Sequence, residues 1–303
     1  MQILWFNFQC KEIIPGFLIG VFAIIVGLCG FLFSHEAKSL DNASYFCEMA
    51  SNAESRLDEF KQEGHTAFVL GYTGEVGKEL VKELQRTKPF KKVFLIGRRQ
   101  VNLGLDIGPE FEQKVIDFEN ISDYKDVFKG IDTGFCCLGT TKGKSGEKGF
   151  VRVDHDYVLE SAELAKAGGC KHFSLVSSQG ANKNSSILYT RIKGQVEEAL
   201  KVIHFERLSI YRPGVLLCDR EESRPGEAVF RTILKPFSYF FPTAITTPTD
   251  VVAKAMVTAA ITKTDNTTEL FENKAIHVLA GNIKCTPQTD KKKSKEMEEN
   301  RDL

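Results

Sequence analysis

Tyr189 and Lys193 stand four residues apart, so on a helix they share one face. An ammonium beside a phenol stabilises phenolate, which would let Tyr189 exchange a proton far below its ordinary pKa of about 10. Just upstream, Ser177-Ser178 closes an apolar run, and one of these hydroxyls could orient a substrate carbonyl. Nearer the start, Gly71-x-x-Gly74-x-x-Gly77 follows the apolar run Ala67–Leu70 and precedes an amphipathic stretch. Glycines so placed let backbone approach a phosphate group and aim amide N–H groups at it from a helix N-terminus. A second apolar run ends in Gly97-Arg98-Arg99. A site selective for NAD usually carries a carboxylate there, to accept from the ribose 2′-OH, whereas Arg accommodates the 2′-phosphate of NADP. Two guanidiniums and no carboxylate predict NADP(H).

These residues need a scaffold of alternating strands and helices, and the hydrophobic pattern predicts one. Strands are expected at Ala67–Leu70, Lys92–Ile96, Gly134–Gly139, His172–Val176 and Leu208–Tyr211, with a further strand ending at Val115-Ile116-Asp117. Helices are expected at Glu75–Arg86, Tyr124–Lys129, Val153–Ala167 and Ile192–Val202, with Tyr189 opening the last. Near-continuous apolar strands between amphipathic helices imply a doubly wound parallel α/β sheet of Rossmann type, covered on both faces, over residues 64–281.

The rest of the chain is different in character. Residues 1–12 form a short leading segment. Residues 13–33 carry no charge and are rich in Ile, Leu, Val and Phe, enough to cross a hydrocarbon core of roughly 30 Å as a helix. A retained transmembrane anchor is expected, with a cleaved signal or a hydrophobic hairpin as alternatives. Residues 34–63 show apolar positions at three- and four-residue steps, from Leu40 to Phe60, and read as an amphipathic linker helix packed on the flank of the domain. Residues 282–303 are mostly charged or polar, including Lys291-Lys292-Lys293, and read as a disordered tail.

Lys+Arg and Asp+Glu number 40 each in the 303 residues, so net charge favours neither nucleic acid nor anionic lipid. The eight cysteines are scattered without C-x-x-C or zinc-ligand spacing, which predicts no metal site and free thiols in a reducing compartment. Cys136-Cys137 reads as a buried strand pair, with a redox role as the alternative. Sequons at Asn42, Asn184 and Asn266 would be modified only on a luminal face, and Asn184 lies close to Tyr189. The expected setting is an internal membrane, the endoplasmic reticulum or nuclear envelope, with the domain facing the cytosol; a cytoplasmic protein is the alternative.

Together, Gly71/Gly74/Gly77, Ser177, Tyr189 and Lys193 resemble the short-chain dehydrogenase/reductase superfamily in its extended or atypical branch. The likeness to one subfamily is closest in Ile96–Arg99, Gly134–Thr141, Gly149–Asp154, Ser161–Phe173, Arg212–Arg220, Glu222–Gly226 and Glu272–His277. That resemblance implies NADPH held by Thr73, Gly74, Glu75 and Val76, by Arg98 and Arg99, by Leu138 and Gly139, and by Leu216 and Arg224. It implies Tyr189 as proton donor, Lys193 as its partner at the nicotinamide ribose, and Ser177 as third member, with Ser178 the alternative. Tyr72 and Val76 depart from the Ala and Thr that the subfamily leads one to expect. Three functions follow: an NADPH-dependent reductase of an unidentified small carbonyl substrate, an NADPH-occupancy sensor binding importin-type nuclear transport receptors and restraining import, or a tethered adapter with a structural nucleotide site.

Overall fold

The computed structural model describes residues 43–104, 107–217, 246–283 and 285. The chain divides into two units, Met1–Ala43 and Ser44–Leu303. The anchor expected at 13–33, the segment 1–12 and most of the tail lie outside the described residues. Among the described residues no helix is long and apolar enough to cross a membrane.

In chain order the elements are α1 (Ala43–Glu63), β1 (Thr66–Leu70), α2 (Glu75–Thr87), β2 (Lys92–Gly97) and β3 (Phe111–Val115). A 3-10 segment (Phe118–Phe128), β4 (Thr133–Cys136), α3 (Lys142–Val151), a π-helical turn (Arg152–Asp156), α4 (Tyr157–Ala167) and β5 (His172–Val176) follow. The chain continues through α5 (Leu188–Lys201), β6 (Arg207–Arg212), β7 (Val215–Leu217), β8 (Thr246–Pro248), α6 (Thr249–Ile261), β9 (Thr268–Glu272) and α7 (Asn273–Leu279).

Seven strands form one sheet in the order β3-β2-β1-β4-β5-β6-β9, every pair parallel, and β7 pairs with β8 separately. Strand alternation splits the core between the two faces. Ala67 and Val69 of β1 join α1, α2, α6 and α7 in one apolar cluster, while Phe68 and Leu70 join the 3-10 segment, α4 and α5 in the other. The order reverses between β1 and β4. In an open sheet of this kind the strands' carboxyl ends leave a crevice at such a switch point, and the glycine turn after β1 opens onto it.

Several expectations need correction. The third strand is Phe111–Val115 and ends two residues before the expected end at Asp117. It is an edge strand, so Glu112, Gln113 and Lys114 are only half-buried and no apolar run marks it. The helix expected at 124–129 is the end of the longer 3-10 segment. The helix expected from Val153 begins earlier, through α3 and the π turn. In α1, Phe46, Met49, Ala53 and Phe60 are buried in the core, so this helix is part of the domain's packing. Cys47 on α1 and Cys285 form a disulfide across 238 residues, their Cα atoms 5.5 Å apart. The expectation of free thiols therefore fails for this pair, and ordered chain extends past residue 281: Ile283 packs against the core. Cys136, Cys137 and Cys170 are free.

Candidate active site

The three glycines of the first turn do different work. Gly71 has φ +73°, and a Cβ there would sit 2.5 Å from the Cys137 carbonyl oxygen and 2.7 Å from Leu138 N. Gly77 lies in α2, where a Cβ would come within 2.2 Å of the Gly71 oxygen and 2.7 Å of Tyr72 Cα. The outer two therefore allow β1, α2 and the β4 end to close on one another. Gly74 is exposed at the start of α2; its N–H donates to the Gly71 oxygen at 2.9 Å, and a Cβ there would meet only that same atom, at 3.3 Å. Its bare surface is what a phosphate group can approach. Thr73 is also exposed, Glu75 half-buried, and Val76 packs inward.

At the end of β2, Arg98 and Arg99 are both exposed, and neither forms an ion pair among the described residues. Tyr72, in contrast, is only 1% exposed. Its hydroxyl lies 3.0 Å from the Arg99 carbonyl oxygen and 2.9 Å from Gln113 Oε1.

At the other side of the switch point, Tyr189, Lys193 and Glu197 form one stripe along α5 at successive four-residue steps. Tyr189 is 43% exposed and its ring stacks on Phe150 of α3, centroids 5.8 Å apart. Lys193 is buried, and its Nζ donates to Asp154 Oδ1 at 2.9 Å. Asp154 is 1% exposed, and its other oxygen accepts from Thr140 N at 2.7 Å. The π turn is what carries Asp154 to this position; such turns recur at functional sites. Burial pulls the Lys193 ammonium toward deprotonation, but the charge of the Asp154 carboxylate and its hydrogen bond to Nζ outweigh it, and Lys193 is held well above its ordinary value. The lysine is thus a firmly charged group held in place by a buried carboxylate. The sequence reading, which weighed Tyr189 and Lys193 alone, missed that partner.

Ser177, the expected third member, is buried and donates its hydroxyl to Glu197. Glu197 in turn accepts from Arg212 Nε at 3.0 Å and Nη2 at 2.5 Å, and Arg212 Nη1 pairs with Glu272 at 3.0 Å. A hydroxyl committed to a buried carboxylate has no proton free for a substrate oxygen. Ser178 is half-buried, its Oγ 3.3 Å from the Gln179 carbonyl oxygen. Leu138 is half-buried against the α4/α5 core and Gly139 is exposed; a Cβ on Gly139 would lie 3.4 Å from Asp154 Oδ1 and 4.0 Å from Lys193 Nζ. The β4 end and the Lys193–Asp154 pair are therefore adjacent. Leu216, on β7, is half-buried against the other core, and Arg224 lies outside the described residues. Burial pushes the Cys136 thiol up to about 12 and the Cys137 thiol higher still, so both stay protonated at neutral pH and have little thiolate chemistry.

The donor set fits a nicotinamide dinucleotide: a side-chain-free turn at the head of α2, exposed guanidiniums at the β2 end, and a buried ammonium beside the β4 end. The comparisons agree. Residues 71–217 match a family described as NAD(P)H-binding. Protein HTATIP2 of Rattus norvegicus is 49% identical over 219 residues, which cover 72% of this chain and 90% of the rat protein. Protein FMP52, mitochondrial, of Candida glabrata is 38% identical over 168 residues, 53% of this chain and 68% of the yeast protein. Among solved structures, UDP-glucuronic acid 4-epimerase from Bacillus cereus in complex with NAD superposes with a TM-score of 0.53 at 17% identity, covering 69% of this chain and 76% of that one. DesIV, a dTDP-glucose 4,6-dehydratase from Streptomyces venezuelae with NAD and TYD bound, gives a TM-score of 0.54 at 12% identity over 68% and 74% of the two chains. Those two likenesses establish the Rossmann-like fold alone. On sequence, the chain belongs to the family of Protein HTATIP2, NAD(P)H-binding proteins with a Rossmann fold of the short-chain dehydrogenase/reductase kind.

Proposed function

We propose that the protein is an NADPH-dependent oxidoreductase that reduces a carbonyl compound, with Tyr189 as the proton donor. The observation that carries this reading is the α5 stripe: an exposed phenol one turn from a buried, charged lysine, beside the β4 end and the glycine turn. When bound, the nicotinamide supplies a hydride to the carbonyl carbon. Tyr189 gives its hydroxyl proton to the carbonyl oxygen, whose former π electrons take up that proton as the alcohol forms. Lys193, kept protonated by Asp154, faces the phenolate left on Tyr189 and stabilises it until a proton returns. Ser178, whose hydroxyl is not held by a carboxylate, is the better group to hold the carbonyl oxygen. The preference for NADPH is supported by Arg98 and Arg99, two exposed cations at the β2 end with no ion-pair partner among the described residues. The proposed setting is a domain held at an internal membrane by residues 13–33, supported by the uncharged run in the sequence.

The test is NADPH oxidation by the full chain across a panel of aldehydes and ketones. Tyr189→Phe should abolish turnover of any substrate found, while leaving the affinity for NADPH within about twofold, since the ring and its packing on Phe150 remain. Undiminished turnover by Tyr189→Phe would refute the mechanism.

A further inference from the structure

Tyr72 is the one bulky side chain in the glycine turn, and it does not face the crevice. Its ring runs beneath the end of β2, so closely that a Cβ on Gly97 would lie 2.8 Å from its Cε1. Its hydroxyl then meets two acceptors, the Arg99 carbonyl oxygen and Gln113 Oε1. Gln113, on edge strand β3, grips the same loop at a second point. Its Oε1 accepts from Val101 N at 3.0 Å, and its Nε2 donates to the Val101 oxygen at 2.9 Å. Burial pushes the Tyr72 phenol above its ordinary value, with the Arg99 guanidinium charge acting against it, so the single proton that these two acceptors share stays in place at neutral pH.

Arg99 thus has a tethered backbone and a free side chain. Backbone from Arg98 to Val101 belongs to no helix or strand, and its exposed guanidiniums would be mobile without such ties. A charge-assisted bond to a phosphate is strongest when the donor is already placed, because less freedom is lost on binding.

We propose that Tyr72 is a positioning residue for cofactor choice: its hydroxyl fixes the Arg98-Arg99 loop to the phosphate-binding turn, so that the two guanidiniums are preset for the 2′-phosphate of NADP(H). This rests on the NADPH reading given above. The ring occupies the space that Gly97 leaves open, so Gly97 and Tyr72 act together. The coupled object is the turn that faces the diphosphate and the loop that faces the 2′-phosphate.

The experiment is equilibrium titration of the full chain with NADPH and, separately, NADH. The unaltered protein should prefer NADPH. Tyr72→Phe keeps the buried ring and removes only the hydroxyl; it should weaken NADPH binding roughly three- to tenfold, the scale of one lost hydrogen bond, and leave NADH binding unchanged. In an Arg98→Ala/Arg99→Ala background the same change should have no further effect on NADPH, because the tether then has no guanidinium to position. Gly97→Ala, which presses a methyl group against the ring, should reproduce the selective loss by a second route. Equal weakening toward both cofactors would mean a merely structural role and overturn the proposal. So would an unchanged preference in Tyr72→Phe, or an undiminished effect in the Arg98→Ala/Arg99→Ala background. Equal affinity of the unaltered protein for the two cofactors would instead overturn the NADPH reading itself.

Discussion

Replacing Asp154 with Asn tests the central electrostatic claim of the site. Asp154 accepts twice, from Lys193 Nζ at 2.9 Å and from Thr140 N at 2.7 Å, and both side chains of the ion pair are almost fully enclosed, at 6% and 1% exposure. Asn offers one acceptor and one donor in the same place, so one of these contacts becomes donor against donor. It also leaves the Lys193 ammonium buried without its counter-charge. Breaking a buried pair in this way costs about 3–5 kcal/mol. Set against a total stability of about 5–15 kcal/mol, that is a large fraction. For a domain of this size it corresponds to a fall in Tm of roughly 6–20 °C. The pH dependence gives a sharper signature. In the unaltered protein the folded pKa of Lys193 is raised above its ordinary value of 10.5. The pair's contribution is therefore full below that value and is lost only as pH climbs through the higher folded value. In Asp154→Asn only burial remains, and the folded pKa falls below the unfolded one. The penalty is then full below the folded value and fades as pH rises toward 10.5. The stability gap between the two proteins, measured by urea unfolding, should accordingly narrow between pH 7 and pH 9.5. A gap under 1 kcal/mol at pH 7, or one that stays constant with pH, would refute the reasoning.

Beyond the Tyr189→Phe and Tyr72→Phe experiments, two further outcomes are expected. Ser177→Ala should lower stability by about 1–3 kcal/mol, by removing a donor to the buried Glu197 carboxylate, whereas Ser178→Ala should spare stability and reduce turnover. Unfolding curves and initial rates of the two variants separate these roles, and the reverse assignment would restore Ser177 as the substrate-facing hydroxyl. Reduction of the Cys47–Cys285 bond should lower stability by about 2–4 kcal/mol, and Cys285→Ala should match it and become insensitive to reductant. Thiol labelling under denaturing conditions, with and without reductant, reads the bond directly.

Much of this protein was legible in local sequence, because the signals involved are local. A strand buried on both faces favours apolar residues along its whole run, as Ala67–Leu70 of β1 shows, and a helix lying on it must carry a stripe such as Val76, Leu80, Val81 and Leu84. A close approach of backbone to phosphate requires glycine where Gly71, Gly74 and Gly77 stand, and a four-residue step puts Tyr189 and Lys193 on one face wherever the helix goes. Edge strand β3 escaped that logic because solvent on its open side removes the need for an apolar run.

What only tertiary structure decided is who meets whom. Spacing placed Ser177 suitably ahead of Tyr189, but the fold turned its hydroxyl into the Glu197–Arg212 network, which draws on β5, α5 and β6 at once. Asp154 became the partner of Lys193 through the π turn that sets its direction. Tyr72, an oddity in a glycine turn, found its role in Gln113 and the Arg99 backbone, 41 and 27 residues further on. Cys47 and Cys285 carried no spacing signal at all, since a disulfide needs only that two Cα atoms come within about 4.4–6.8 Å, which a chain separation of 238 residues neither favours nor forbids. Hydrogen bonds and ion pairs depend on distances of a few ångströms between atoms, and those distances are set by how helices dock on the sheet, not by the order of residues along it.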